Sequence, residues 1–132
     1  MSSKCDVLVV DDEPVVRDAI RLVLGSEGFA VETVPDAEAA LAHPAFADCR
    51  LVICDLMLPG LPGLDLIQAI RARRAGVAIL AITGYATGEV ATRAASAGAT
   101  LFLAKPFDHD ELSDQVRRVL QRTDAASKEE RS

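Results

Sequence analysis

The chain has 132 residues, enough for one domain that buries its own core without disulfide or structural metal. Half of it is apolar and only 4% aromatic, so the core must be built from Val, Leu, Ile and Ala. A net charge of -6 and a pI near 4.8 argue against a nucleic-acid-binding surface and suit a cationic partner or a metal ion. Three cysteines at positions 5, 49 and 54 show neither paired nor zinc-ligand spacing and read as buried, reduced thiols. The N-terminus lacks a signal-like apolar run, and no stretch is long enough to span a membrane, so a cytoplasmic protein without membrane contact is expected.

Residues 7–10, rich in β-branched side chains, read as a first strand running into Asp11, Asp12 and Glu13. Pro14 suits a helix's first position, and Val15, Val16, Ala19, Ile20, Val23 and Leu24 recur at helical period up to Gly25. Residues 29–34 alternate as an edge strand does, and Asp36 is placed to cap an Ala-rich helix that Pro44 ends or kinks. Residues 51–54 (LVIC) form a strand apolar on both faces, with Asp55 at its carboxyl end before two Pro-Gly pairs that can only be loop. Leu64, Ile67, Ile70 and Arg71 begin a third helix, closed by Arg73, Arg74 and Gly76; its terminal cations complement the helix dipole and read as structural.

Residues 77–82 make a fourth strand ending at Thr83-Gly84. Thr87 caps a helix running to Gly98, and residues 101–104 form a fifth strand ending at Lys105-Pro106. Asp108 and Glu111 have capping-box spacing ahead of Leu112, Val116, Val119 and Leu120. His43 and His109 stand isolated and read as structural. Residues 4–122 are read as one domain, and residues 123–132, without bulky apolar side chains, as a flexible tail or the start of a linker.

Five strand-helix alternations demand a parallel sheet covered on both faces by right-handed crossovers, although the pattern leaves both common doubly wound orders open. In such a sheet all carboxyl ends share one edge, which brings Asp11, Asp12, Asp55, Thr83 and Lys105 together from across the sequence. Crowded carboxylates repel and favour a hard cation, and oxygen-only donors suit Mg2+ or Mn2+. A carboxylate nucleophile, a divalent ion, an ammonium and a hydroxyl make a set able to form an aspartyl phosphate.

This combination (an acidic pair after the first strand, D-x-x-[ML]-P-x-x-x-G at Asp55, Leu58, Pro59 and Gly63, Thr83-Gly84, then Lys105-Pro106-Phe107) resembles the CheY-like receiver domain of two-component response regulators over residues 4 to 122. The resemblance implies a flavodoxin-like (βα)5 fold with strand order 2-1-3-4-5. It makes Asp55 the phosphoacceptor, loaded by a histidine kinase or histidine phosphotransfer protein. Asp11, Asp12, Asp55 and the backbone carbonyl of Met57 become the Mg2+ ligands. Lys105 becomes the phosphoryl partner, Thr83 and Phe102 the switch pair, and Pro106 a cis-proline. Signal output to a homodimer mate or downstream protein is expected through the fourth helix, fifth strand and fifth helix.

Bulky Met57 and Tyr85 flank the acceptor and are expected to slow hydrolysis of the phosphoryl group. The fourth helix has Val90 as its single large apolar residue, so it is expected to be the least stable helix. The rival readings fit less well. A flavin-binding domain needs a hydroxyl-rich phosphate loop where this chain has DDEP. A haloacid-dehalogenase-like phosphatase needs D-x-D, whereas Asp11 is followed two later by Glu13. A cobalamin-binding domain needs a histidine where Met57 stands. Within the receiver family the chain reads either as a stand-alone receiver or as the input module of a longer DNA-binding transcriptional regulator, which ITGYAT resembles.

Overall fold

Backbone hydrogen bonding in the strands is satisfied by one five-stranded parallel sheet of order β2-β1-β3-β4-β5 in the computed structural model. The structure describes residues 5–58, 60 and 62–131, with side chains up to residue 121. Lys4, Pro59 and the side chains of the expected tail lie outside the described residues. The elements are β1 (Val7–Val10), α1 (Pro14–Ser26), β2 (Val31–Val34), α2 (Ala37–Ala42), a 3-10 turn (Pro44–Ala47), β3 (Leu51–Asp55), α3 (Gly63–Arg73), β4 (Ala78–Thr83), α4 (Gly88–Ala97), β5 (Leu101–Ala104) and α5 (His109–Arg131).

The two-residue period of the strands sorts the core into two layers. Leu8, Val10, Val52, Cys54, Ile79 and Ala81 face Leu66, Ile67 and Ile70 of α3, Ala37 and Ala40 of α2, and Ala94 of α4. Val7, Val9, Leu51, Ile53, Leu80 and Ile82 face Ile20, Val23 and Leu24 of α1 and Leu112, Val116 and Val119 of α5. Each fully buried Leu or Ile contributes roughly 1.5–3 kcal/mol, so β1, β3 and β4, apolar on both faces, form the rigid centre. All three cysteines are buried and unpaired there or beside it.

Helix ends follow the side chains expected to fix them. Asp36 Oδ1 accepts the Ala39 N–H at 2.8 Å, Thr87 Oγ1 accepts that of Val90 at 3.1 Å, and Asp108 and Glu111 exchange the reciprocal bonds of a capping box. Pro44 ends α2 and starts the 3-10 turn. The arginines at the end of α3 are structural by a stronger mechanism than the helix dipole. Arg71 donates to the carbonyls of Gly98 (2.8 Å), Ala75 (3.0 Å) and Val77 and to Thr100 Oγ1 (3.1 Å), while Arg74 donates to those of Phe46 (2.8 Å) and Cys49 (2.6 Å). Strand and helix bounds differ from the sequence reading by a residue or two, as at β2, where Phe29 bonds back to the end of α1 instead of joining the strand.

Candidate functional site at the sheet's carboxyl edge

The strand order reverses direction between β1 and β3, and the crevice at that switch point holds the ends of both strands. Backbone bonds carry the ladder one residue past the strands and so fix the site's geometry. The Asp11 N–H donates to Val34 O at 3.2 Å, Leu56 N–H to Ile82 O at 2.9 Å, and Lys105 N–H to Thr83 O at 2.8 Å. The Lys105-Pro106 bond is cis, as expected.

Asp55 is buried, its Oδ1 accepting the Met57 N–H at 2.9 Å and its Oδ2 a bond from Lys105 Nζ at 3.0 Å. Asp11 is also buried, its Oδ1 accepting the Glu13 N–H at 2.8 Å. Its Oδ2 has no aligned hydrogen-bond donor and only the Lys105 ammonium 3.0 Å away as an ion-pair contact. Arg17 supports this corner from below, donating to the Asp11 carbonyl at 2.6 Å. Burial raises the Asp11 carboxyl above its ordinary range, and the nearby Asp55 charge pushes the same way against the Glu13 N–H and Lys105. Burial alone would lower Lys105, but its contacts with Glu13, Asp11 and Asp55 outweigh that and hold the ammonium charged, above its usual range.

Thr83 is buried, and its Oγ1 accepts the Tyr85 N–H at 3.1 Å, which leaves its hydroxyl proton available to a ligand in the crevice. Phe102 is half-buried and packs on the α2/α3/α4 side of the core, two residues before the sheet edge. Met57 and Tyr85 are 57% and 67% exposed, so they rim the crevice without roofing it.

The residues singled out in the sequence therefore converge, and one more joins them. Carboxylate oxygens of Asp11, Asp12, Glu13 and Asp55 lie within 4.8 Å of one another, and Glu13 Oε1 contacts Lys105 Nζ at 3.0 Å. Glu13 was missed as a site residue because its position before Pro14 reads as a helix start; the signal was the third consecutive acid. The donor set fits a hard divalent ion: every donor is oxygen, the net charge is negative, and Asp11 Oδ2 is a buried acceptor lacking a hydrogen bond.

The model of the response regulator receiver domain matches residues 7–117. The chain belongs to that family. Curated relatives of this receiver domain include the transcriptional regulatory protein FixJ of Bradyrhizobium diazoefficiens, 32% identical over 98% of the chain and 63% of FixJ. The two-component response regulator PhoP of Pseudomonas aeruginosa is 36% identical over 89% of the chain and 52% of PhoP. The receiver thus spans about half to two thirds of the length of these relatives. Among solved structures, a CheY-like receiver domain protein from Methanospirillum hungatei superposes with a TM-score of 0.87 at 27% identity, covering 94% of this chain and 99% of that one. The receiver domain of NtrX from Brucella abortus does so with 0.82 at 37% identity, covering 88% and 98%. Residues 7–117 are thus a receiver domain of the kind found in response regulators. Among the described residues no helix is long and apolar enough to cross a membrane.

Proposed function

We propose that Asp55 accepts a phosphoryl group from a phosphohistidine on a histidine kinase or phosphotransfer protein. The observation that carries this reading is the pairing of Asp55 Oδ2 with Lys105 Nζ at 3.0 Å beside the unbonded Asp11 Oδ2. An Asp55 oxygen forms the new P–O bond as the P–N bond to the donor imidazole breaks, and the imidazole leaves with the electron pair. Lys105 balances charge on the transferred oxygens, and the Thr83 hydroxyl donates to one of them. Asp11, Asp12, Asp55 and the Met57 carbonyl hold Mg2+, which supplies electrostatic stabilisation of the phosphoryl charge when bound. Withdrawal of Thr83 toward the phosphoryl group opens room for Phe102 to turn inward, altering α4, β5 and α5, the output face for a second copy or a downstream protein.

Acetyl phosphate or beryllofluoride with Mg2+ tests this on wild type and Asp55→Ala by intact mass and fluorescence. A phosphoryl adduct on wild type that is absent from Asp55→Ala is expected. Equal modification of both removes Asp55 as acceptor.

A second reading concerns the context of the domain, which we place in the cytoplasm. Relatives that exceed it in length include transcriptional regulatory proteins, which supports residues 4–122 as an input module and residues 123–132 as the start of a linker to a DNA-binding output. The length of the open reading frame decides between this and a stand-alone receiver.

A further inference from the structure

Lys105 carries three ammonium protons, and three carboxylate oxygens lie 3.0 Å from its nitrogen: Asp11 Oδ2, Glu13 Oε1 and Asp55 Oδ2. Two of these contacts, to Glu13 and Asp55, are hydrogen bonds, and the third, to Asp11 Oδ2, is an ion-pair contact without hydrogen-bond alignment, so Glu13 holds one of the two ammonium protons already donated before any phosphoryl oxygen arrives. The three partners differ in how firmly they are held. Asp11 and Asp55 are buried, and each accepts a backbone N–H through its other oxygen. The Glu13 side chain is 60% exposed and pairs with Lys105. Its backbone stem borders an open apolar groove of about 480 Å3 between α1 and the β5–α5 loop, and its exposed carboxylate is free to turn out to solvent. An exposed pair of this kind is weak and displaceable, whereas the buried contacts are not.

We propose that Glu13 is a positioning residue that gates Lys105. In the resting site it occupies one ammonium proton and adds a negative charge at the entrance. An incoming phosphoryl oxygen takes over that proton, and Glu13 turns out to solvent. Glu13 therefore slows loading by anionic donors without serving as a metal ligand. This rests on the reading of Asp55 as phosphoacceptor.

The test uses the full chain with Mg2+ and acetyl phosphate, comparing wild type, Glu13→Gln and Asp55→Ala at low and high ionic strength, with Mg2+ and beryllofluoride affinities measured calorimetrically. Removing the exposed charge should speed loading about two- to fivefold at low salt, with the gain shrinking at high salt, and should tighten beryllofluoride binding similarly. Mg2+ affinity should stay within about twofold. Equal loading of wild type and Glu13→Gln at both salts overturns the gate, and a Mg2+ affinity weakened about tenfold or more makes Glu13 a ligand instead. Absence of any Asp55-dependent adduct on wild type overturns the underlying reading as well, which distinguishes the two failures.

Discussion

At the residue scale, Gly63 shows how closely the end of β3 at Asp55 is packed. A Cβ built there would sit 2.4 Å from Leu56 Cα and 2.5 Å from the Asp55 carbonyl oxygen, both backbone atoms that cannot step aside. Gly63→Ala should lose roughly 1–3 kcal/mol in urea unfolding, with loading at Asp55 slowed as the strand end shifts. Met57 and Tyr85 were read from sequence as a shield, yet in the resting site both are well exposed. Shielding therefore has to come from their closing over a bound phosphoryl group. Autodephosphorylation should accelerate in Met57→Asn, and an unchanged rate there removes the shield. Cys5 bears on pH. Burial first, with the neighbouring Cys49 adding to it, pushes its thiol up to about 11. The unfolded thiol ionises near its ordinary value of 9.0, so the folded state retains the proton longer. The resulting stability is complete below pH about 9 and is lost as pH rises through about 11. Denaturant midpoints across that window should fall less steeply in Cys5→Ala than in wild type.

At the scale of elements, α4 is anchored at one end. Ala94 is its buried residue, its N-cap Thr87 is exposed, and its C-terminal turn is tied through the Gly98 carbonyl to Arg71. Gly98 has φ of +120° and approaches the Arg71 side chain so closely that an added Cβ would lie 2.6 Å from Arg71 Cγ. α5, by contrast, buries Leu112, Val116, Val119 and Leu120. Hydrogen exchange should therefore show amides 91–97 opening at lower free energy than amides 112–120. Equal protection of the two helices would contradict the assignment of α4 as the mobile element. The weak anchoring was legible in the sequence as a run of alanines. The Arg71 tether was not, because a basic residue near a helix end reads equally well as a dipole partner.

At the scale of the whole molecule, the resting site stores repulsion. Asp11, Asp12, Glu13 and Asp55 crowd one another, and the ammonium of Lys105 contacts three of them, Asp11, Glu13 and Asp55. A divalent ion that binds only the folded state relieves this, adding about 2.7 kcal/mol at a hundredfold excess over its Kd. Melting should therefore shift up by several degrees with Mg2+ and return on chelation, and Asp12→Asn should abolish most of the shift. A Tm indifferent to Mg2+ would show that the cup binds no ion.

The alternation of apolar strands with amphipathic helices, the caps and the polar residue at four of the five strand ends could be read from the chain alone, because periodicity and turn chemistry are local. Periodicity by itself left two doubly wound orders open; the receiver motif pointed to 2-1-3-4-5, and the folded chain closes the crossovers in that order. Neither signal reached Glu13, which local chemistry makes a helix-start acid. Only β5, delivering Lys105 across 92 residues of sequence, makes it part of the cluster at the sheet's carboxyl edge.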